Sequence, residues 1–427
     1  MRRSFGVPGR LAAVVVLLAA CSASDDGTGE VPAPRRPVTP VPTSAATPAG
    51  TSGAATSGSG VATPSRAEPP RLRVEEVTRG LEHGWDVGFL PDGRVLVSER
   101  VARFTLLSSA RPGATSTRVA ADLVDVQVRG EGGLMGLVVH PDFATTRRFT
   151  TCQTHTEAGR PVDVRLVTWH LSADGRSATR ERDLLTGLPL NPSGRHSGCR
   201  PTIAADGTLL VGTGDTANAR LSQDRTSLGG KVLRLDLATG APARDNPFVT
   251  AADPRERYVY TYGHRNLQGV AVRPGSGQVF TAEHGPTVND EVNLLRAGAN
   301  YGWDPAKGGT DDAYDESVPM TDRRRYPQAV DAVWQSGATT QAVCAAAFLT
   351  GASWGPWDGA LVVTALKGAK LLILRLDPAG AVTSVAIPPE FDHAYGRLRA
   401  ARAGPDGALF VSTSNGSDDR LLRITPA

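Results

Sequence analysis

A short phrase recurs along this chain and limits its fold more than any other feature. A turn that contains Pro, Asp or Gly is followed each time by alternating apolar residues. The phrase reads PDGRVLVSER (91–100), AADGTLLVGTGD (204–215), RPGSGQVFTAEHG (273–285), WDGALVVTALKG (357–368) and PDGALFVSTSNG (405–416). Asp-Gly favours a hairpin turn because glycine accepts positive φ, and the alternation is typical of a pleated strand. Helical periodicity is almost absent, so the sequence predicts an all-β fold.

The spacing of these phrases is compatible with repeating units of roughly 50 to 60 residues. We expect the folded region to span 71–427, which would hold about six such units. The sequence therefore predicts a six-bladed β-propeller of four-stranded antiparallel blades. An array of β-sandwiches is the competing architecture, but it does not explain why polar residues recur just past the same strand. In a propeller the innermost strands surround a central channel, so residues that are distant in sequence converge there.

Residues 1–21 have the pattern of a bacterial lipoprotein signal. Arginines precede an apolar run, Leu11 to Ala20, that is too short to span a bilayer. The run ends in Leu-Ala-Ala-Cys, which resembles a lipobox, and in that class Cys21 is lipidated and becomes the first mature residue. An ordinary cleaved signal with an incidental cysteine is the alternative. The signal would export the protein, and a lipid on Cys21 would anchor it to the outer face of the cytoplasmic membrane.

Residues 22–70 are predicted to form a disordered linker. They are almost entirely Ala, Pro, Thr, Ser and Gly, with a few charges and no periodic apolar pattern. Such a segment cannot bury enough surface to offset the entropy of ordering.

The net charge gives no reason to expect a nucleic-acid partner. The chain holds 46 Lys and Arg against 43 Asp and Glu. Loss of the signal would remove Arg2, Arg3 and Arg10 and leave the two signs equal, so the basic pI carries little information about binding.

The four cysteines divide by position. Cys21 belongs to the signal, whereas Cys152 and Cys199 lie in strand-like runs. Because an exported compartment permits disulfides, we predict that Cys152 pairs with Cys199 and that Cys344 is free and buried.

Four cations lie in or next to predicted strands: Arg265, Lys367, Arg397 and Arg399. Arg397 and Arg399 are two positions apart, so both point to the same face of their strand. If the four share a channel mouth, leaving them unpaired there would cost on the order of several kcal/mol each. They would then require an anion, and arginine suits a planar carboxylate best. Four unrelated surface cations are the alternative.

His196 and Asp215 lie at the two ends of one block, HSGCRPTIAADGTLLVGTGD. A histidine that reaches a carboxylate can serve as a general base, because the acid fixes the tautomer and stabilises the imidazolium. The other candidate histidines, His140, His264 and His284, are expected to be packing residues.

Oxygen ligands are concentrated in EHGPTVNDEVNLL. Gly285 and Pro286 lie in a tight turn that can offer backbone carbonyls, and Glu291 adds a carboxylate. Ligands of this kind suit Ca²⁺, whereas the sequence has neither an EF-hand loop nor the His/Cys spacing of a zinc site.

Several blocks are similar, in chain order, to those of the soluble sugar dehydrogenases that depend on pyrroloquinoline quinone (PQQ). These blocks are GWDVGFLPDGRVLVSER, GEGGLMGLVVHPDF, HSGCRPTIAADGTLLVGTGD, LGGKVLRLD with DNPF, residues 262–303, ALKG and GRLRAARAGPDGALFV. The likeness covers nearly the whole folded region, and several blocks in order are more specific than one motif. It implies oxidation of the anomeric carbon of an aldose to the lactone, with PQQ and Ca²⁺ as cofactors.

The resemblance also implies roles for individual residues. His196 matches the catalytic base and Asp215 its orienting carboxylate, while Arg265 and Asn266 match the pair beside the reactive carbonyl of the quinone. The cations that match those holding the PQQ carboxylates are Lys367, Arg397 and Arg399.

The same resemblance implies positions for metal ions, and the chain departs from the family pattern at two positions. Gly285 and Pro286 match the carbonyl donors to a Ca²⁺ that bridges protein and cofactor, and Glu291 with the Tyr301 carbonyl resembles a second, structural calcium site. Glu131 is placed at the cofactor, where the family often has glutamine. Ala400 stands where an acid commonly follows the Arg-x-Arg pair.

Two other functions remain open at this point. A calcium-dependent lactone hydrolase on a similar propeller would need no cradle of Arg and Lys, and a ligand-binding propeller would need no base. For a dehydrogenase, the expected partners are a sugar substrate and a separate electron acceptor, because the sequence has no haem-binding CxxCH.

Overall fold

The computed structural model describes residues 68–310 and 312–427, and these form six four-stranded antiparallel sheets. The predicted six-bladed β-propeller is confirmed. Residues 1–21, Cys21 and all but the end of the predicted linker 22–70 lie outside the described residues. In the part that is described, no helix is long and apolar enough to cross a membrane.

The strands are numbered in chain order, and the first, β1 (Leu72–Leu81), belongs to the last blade. Blade 1 contains β2 (Gly84–Phe89), β3 (Val95–Glu99), β4 (Arg103–Leu107) and β5 (Ser116–Val119). Blade 2 contains β6 (Leu134–Val139), β7 (Arg148–Glu157), β8 (Arg160–Leu171) and β9 (Ala178–Leu188). Blade 3 contains β10 (Arg200–Ile203), β11 (Leu209–Gly212), β12 (Lys231–Leu235) and β13 (Val259–Tyr262).

The second half of the chain repeats this plan. Blade 4 contains β14 (Leu267–Val272), β15 (Val279–Glu283), β16 (Glu291–Leu294) and β17 (Trp334–Gln335). Blade 5 contains β18 (Val343–Phe348), β19 (Leu361–Ala365), β20 (Lys370–Leu376) and β21 (Val382–Ala386). Blade 6 contains β22 (Leu398–Ala403), β23 (Leu409–Thr413), β24 (Asp419–Pro426) and β1. Within residues 68–310 and 312–427, one short helix, α1 (Phe143–Thr146), and three 3₁₀ turns, Glu256–Tyr258, Ala352–Trp357 and Pro389–Phe391, connect strands.

Each recurring phrase is the turn between the first and second strands of a blade, followed by the second strand. The phrases contain β3, β11, β15, β19 and β23. In three of these turns, those of Asp92, Asp206 and Asp406, the aspartate accepts a hydrogen bond from the backbone two residues on. Asp92 Oδ1 accepts from Arg94 N at 3.1 Å and Asp206 Oδ1 from Thr208 N at 2.9 Å. Blade 2 lacks the phrase because α1 occupies that turn.

The first strands of the blades form the inner ring. β2, β6, β10, β14, β18 and β22 each contact the first strands of the two neighbouring blades. The ring closes where β1, from the beginning of the folded chain, pairs with β24, from its end; Leu72 and Pro426 are partners in the register. Apolar side chains fill the space between neighbouring blades, so each blade is stabilised by the next.

The predicted disulfide is present and joins two blades. Cys152 in β7 and Cys199 just before β10 form it, with their Cα atoms 6.1 Å apart. Cys344, in β18, is free and buried, as predicted.

A buried carboxylate joins four blades near the axis. Asp86 in β2 is fully buried, and its Oδ2 lies 2.9 Å from Arg200 Nη1 of β10. Arg402 of β22 donates to both of its oxygens at 2.7 and 2.8 Å, and the backbone of Leu137 in β6 donates at 3.1 Å. Burial raises the pKa of Asp86, but Arg200 and Arg402 outweigh it and hold the pKa below its ordinary value. The carboxylate is therefore ionised and offsets two inward-pointing arginines.

Replacement of Asp86 should therefore destabilise the whole ring. We expect Asp86→Ala to lower the free energy of unfolding by about 3–5 kcal/mol, because Arg200 would remain buried without a counter-charge. Urea denaturation monitored by tryptophan fluorescence measures this. The matched control is Asp418→Ala, which breaks an exposed pair with Arg79 and should cost less than about 1 kcal/mol. Equal losses in the two variants would contradict the central role of Asp86.

Candidate functional site

Most of the predicted site residues lie at the end of the channel where the innermost strands begin, which we call the mouth. Glu131 precedes β6, His196 precedes β10 and Arg265 precedes β14. Arg399 is the second residue of β22. Because all six blades have the same topology, these positions converge although they are far apart in sequence.

His196 and Asp215 are in direct contact at the mouth. His196 Nδ1 lies 2.7 Å from Asp215 Oδ1, and both residues are buried. The backbone of Ala217 also donates to Oδ1 at 2.8 Å, and Trp303 Nε1 donates to Oδ2 at 2.8 Å. The carboxylate thus fixes the imidazole with Nδ1 as the donor, which leaves Nε2 as the proton acceptor.

Glu131 is the centre of a polar network beside this pair. Its Oε2 accepts from Asn266 Nδ2 at 3.0 Å and from Gln268 Nε2 at 3.2 Å, and its Oε1 accepts from the backbone of His196 at 3.3 Å. Gln268 Oε1 in turn accepts from Arg399 Nη1 at 3.2 Å. The network connects Arg399 to His196, and it shows that Glu131 points into the site.

The mouth carries more arginine than its carboxylates can offset. Arg397 and Arg399 lie close together, and Arg100, at the end of β3, faces both. Desolvation lowers the pKa of Arg100, and the positive charges of Arg399 and Arg397 lower it further. Desolvation and then the charge of Arg399 lower the pKa of Arg397 in the same way. Glu131 and Glu82 act on the pKa of Arg100 in the opposite direction, as Asp419 does on that of Arg397, but they do not reverse the shifts, so the place favours an anion.

Lys367 is placed differently from the other predicted cations. It is exposed in the turn after β19 and makes no hydrogen bond or ion pair with residues 68–310 or 312–427. Its position next to the mouth is compatible with the predicted role, but the structure does not bring it into the polar network.

Arg265 is held in part by Glu316, which belongs to a segment for which the sequence predicts no role. Its Nη2 donates to Glu316 at 2.5 Å and its Nη1 donates to the carbonyl of His284 at 2.8 Å. The buried Nε of Arg265 has no hydrogen-bond partner among the described residues. The backbone of His284 therefore lies at the edge of the site.

The turn after β15 is tightly organised, and the carbonyl of Gly285 is in hydrogen-bond contact with His284 Nδ1. Asp290 organises it: Oδ1 accepts from the backbone of Gly285 at 2.9 Å and from Thr340 Oγ1 at 2.7 Å. Gly285 and Pro286 follow directly on His284, whose carbonyl contacts Arg265. The two predicted carbonyl donors are thus beside the mouth.

A second group of oxygens lies deeper in blade 4. Glu291 is buried next to Glu283, and desolvation followed by the charge of Glu283 raises the pKa of Glu291 to about 8. The buried oxygens Asn293 Oδ1 and Thr281 Oγ1 have no partner among the described residues. Two carboxylates and two unpartnered oxygens form a donor set that suits a hard divalent cation.

The predicted partner of Glu291 at this group, Tyr301, is buried and stacks on His264, with ring centroids 4.6 Å apart. His264 Nδ1 contacts Glu283 Oε2 at 2.8 Å. His264 is thus a packing residue, as expected, and it holds one of the two buried carboxylates.

The family model of the glucose/sorbosone dehydrogenases matches residues 81–423. The chain belongs to this family.

Three relatives show how much of the chain is shared with other family members. The aldose sugar dehydrogenase of Escherichia coli is 29% identical over 368 residues, which are 84% of this chain and 94% of that protein. A structure of a putative oxidoreductase (glucose dehydrogenase) from Thermus thermophilus is 36% identical with a TM-score of 0.70, covering 83% of this chain and 99% of that one. The PQQ-bound form of the aldose sugar dehydrogenase from Streptomyces coelicolor is 31% identical with a TM-score of 0.66, covering 84% and 99%.

Sequence reasoning missed several residues at the mouth of this glucose/sorbosone dehydrogenase family member. Gln268 lies two positions after Asn266, so strand alternation could have found it. Arg100 is the last residue of the first recurring phrase, so its place directly after a predicted strand could have indicated it. Glu316 and Tyr314 come from a segment without strand periodicity, and no local pattern indicates where such a segment folds.

A buried lysine anchors the loop that carries Asp215. Lys231 Nζ donates to the carbonyls of Leu221, Ser222 and Gly229 at 2.7, 3.0 and 2.6 Å. Burial lowers the pKa of Lys231 to about 7, and the negative charges of Asp224 and Asp215 act in the opposite direction. The ammonium group thus ties residues 221–229 to β12 at the cost of desolvation.

The depressed pKa of Lys231 predicts a specific pH dependence of stability. Between about pH 7 and pH 10 the unfolded chain keeps a proton that the folded protein has lost, so stability rises with pH over this range. From pH 7 to pH 9 the free energy of unfolding of the unaltered protein should gain about 2 kcal/mol relative to Lys231→Met. Denaturant titrations at both pH values measure the difference. Lys370→Met, at the start of β20, serves as the control, and a gain of equal size relative to it would exclude Lys231 as the cause.

Proposed function

We propose that this protein is a PQQ-dependent dehydrogenase that oxidises the anomeric carbon of an aldose to the lactone. The observation that carries the proposal is the surplus of arginine beside a His–Asp pair. Arg100, Arg397 and Arg399 repel one another next to His196 and Asp215, and a polycarboxylate would relieve that repulsion. PQQ carries three carboxylates.

The residues of the mouth suit such a group. Arg399 and Arg397 would hold carboxylates, and Lys367, which is exposed nearby, would add a third cation. Asn266 and Arg265 would lie at the other end, where the buried Nε of Arg265 has no hydrogen-bond partner among residues 68–310 and 312–427. Membership of the glucose/sorbosone dehydrogenases and the PQQ-bound Streptomyces relative support the same cofactor.

The protein's own part in the reaction centres on His196. Nε2 would accept the proton of the anomeric hydroxyl, and Asp215 would stabilise the imidazolium that forms. Arg265 would place positive charge where negative charge develops. Bound PQQ would supply the acceptor for the two electrons and the hydrogen that leave the sugar carbon.

Glu131 adds a negative charge, which has the same sign as the carboxylates of the cofactor and repels them. Its carboxylate accepts from Asn266 and Gln268, so it stands beside the place assigned to the quinone. Arg100 and Arg399 face the same network and offset that charge. We infer that Glu131 orients the two amides, as a glutamine would, at the expense of some cofactor affinity.

Calcium is part of the proposal at two places. The carbonyls of Gly285 and Pro286 would hold one ion next to the cofactor. Glu291, the Asn293 amide oxygen and the Tyr301 carbonyl would hold a second, structural ion. The support for the second site is the pair of buried oxygens, Asn293 Oδ1 and Thr281 Oγ1, that have no hydrogen-bond partner in the described part of the chain.

The cellular setting is proposed from the sequence alone. The protein would be exported, lipid-anchored through Cys21 to the outer face of the cytoplasmic membrane, and would pass electrons to a separate acceptor. No nucleic-acid partner is proposed.

Reconstitution tests the function directly. The full-length protein is incubated with PQQ and Ca²⁺, and aldose-dependent dye reduction is measured. We expect PQQ-dependent turnover of one or more aldoses. Saturable PQQ binding without turnover would indicate a binding propeller, and lactone cleavage without any quinone would indicate a hydrolase.

His196→Ala should lower kcat by at least about 100-fold, because the general base is removed. PQQ affinity, measured by the change in quinone absorbance, should stay nearly the same, since His196 is not among the cations. His393→Ala, an exposed histidine that pairs with Asp392, is the matched control and should leave both quantities unchanged. Unaltered turnover in His196→Ala would remove His196 from its assigned role.

Calcium should stabilise the protein through Glu291 even without PQQ. At 100 times its dissociation constant, Ca²⁺ adds about 2.7 kcal/mol to the free energy of unfolding, which raises Tm by several degrees. Calorimetry in Ca²⁺ and in EGTA measures the shift. Glu291→Gln should lose most of it, whereas Glu256→Gln, which breaks a pair with Arg225, should keep it. An equal calcium shift in both variants would refute the site.

A further inference from the structure

The segment 312–326, which precedes β17 and contains no strand, contacts the proposed catalytic residues. Tyr314 Oη donates to Asp215 Oδ2 at 2.6 Å and lies 3.2 Å from His196 Nδ1. Two residues later, Glu316 accepts from Arg265 at 2.5 Å and from Arg195 at 3.1 Å. A part of the chain that comes from outside the inner ring therefore contributes to the geometry of the base.

Asp215 is satisfied entirely by the protein. It is fully buried, and each oxygen accepts two hydrogen bonds: Oδ1 from His196 Nδ1 and the backbone of Ala217, Oδ2 from Trp303 Nε1 and Tyr314 Oη. Of these donors, Tyr314 makes the shortest contact. Without it, Oδ2 would keep only the indole N–H, and the carboxylate would be freer to turn.

The tyrosine proton is firmly held. Burial, and then the negative charge of Asp215, raise the pKa of Tyr314 well above its ordinary value. The hydroxyl is thus a permanent donor to Asp215 over the working pH range. A donor of this kind withdraws negative charge from the carboxylate, so it weakens the attraction between Asp215 and a protonated His196.

We propose that Tyr314 is a positioning residue for the general base: its hydroxyl fixes the Asp215 carboxylate and, through it, the tautomer and basicity of His196. This inference rests on the proposed function only for its kinetic consequence. The Tyr–Asp–His arrangement itself can be tested without cofactor or substrate.

Other charged groups also face His196 and stay constant in the test. Asp215 and Tyr314 contact the ring, Glu131 contacts its backbone, and Glu316 lies close enough to be influenced by its charge. Arg265 and Arg195 pair with Glu316, and the charges of Lys231 and Asp215 attract each other. None of these is altered by Tyr314→Phe, which removes a single oxygen atom.

The direct test is NMR of the ¹⁵N-histidine-labelled protein without PQQ. The signal of His196 is assigned by its absence in His196→Gln, and its titration is followed in the unaltered protein and in Tyr314→Phe. We expect the titration midpoint of His196 to move upward by about 0.5 to 1 pH unit in Tyr314→Phe. The reconstituted enzyme should show the acidic limb of kcat/KM moving in the same direction, with KM for the sugar little changed.

Tyr326→Phe is the matched control. Tyr326 donates to Asp304 at 2.9 Å in the same segment, so this variant also removes a tyrosine–aspartate hydrogen bond but leaves Asp215 untouched. It should leave the His196 titration and the acidic limb where they are. Equal shifts in both variants would reduce Tyr314 to a general stabiliser of the segment, and no shift in Tyr314→Phe would overturn the proposal.

A second measurement tests the proposal in case Tyr314→Phe folds poorly. Replacement of the seven tyrosines by 3-fluorotyrosine strengthens the hydroxyl as a donor, so the His196 midpoint should move downward. An unchanged midpoint would also overturn the proposal. The two hypotheses remain separable: a His196 shift without aldose oxidation would contradict the proposed function alone, and aldose oxidation with no shift would contradict the role of Tyr314 alone.

Discussion

The structure depends on the way positive charge is neutralised along the propeller axis. Asp86 lies among Arg200 and Arg402 and also accepts a hydrogen bond from the backbone of blade 2. Two arginines without that carboxylate would be strongly unfavourable at this depth. The axis is therefore balanced in the middle and left positive at the mouth, where Arg100, Arg397 and Arg399 have too few carboxylates. The proposed cofactor site lies at the end of the channel where the positive charge is not balanced.

Ala400 is one departure from the family pattern. It stands on β22 where an acid commonly follows the Arg-x-Arg pair, and it is fully buried. The buried acid that reaches β22 from another blade, Asp86, pairs with Arg402 and with Arg200 of β10. It does not replace the missing acid beside Arg397 and Arg399, and this adds to the positive charge at the mouth.

Much of the architecture could be predicted because it is local. The Asp-Gly turns determine where the second strand of a blade begins, and their recurrence indicates the number of blades. Blade 2 escaped the pattern, since α1 replaces its turn. The pairing of Cys152 with Cys199 was predicted from their strand-like runs and the exported compartment, and the contact between His196 and Asp215 from the block that these two residues enclose.

The remainder could not be predicted because it depends on long-range packing. Glu316 reaches Arg265 across 51 positions, and Tyr314 reaches Asp215 across 99, from a segment that carries no periodic signal. The inward direction of Glu131 was equally hidden, because a loop residue before a strand has no defined face. Lys367 shows the converse: its block was recognised, yet its side chain lies in solvent.

The pairing of β1 with β24 has a consequence for how the molecule is made. Leu72 is among the first residues of the folded part to leave the ribosome, and its partner Pro426 is among the last. The earliest strand must therefore stay unpaired until β24 has been made. The ring of blades cannot close before that strand is present, so a product terminated before β24 would keep an open strand edge that favours aggregation and proteolysis.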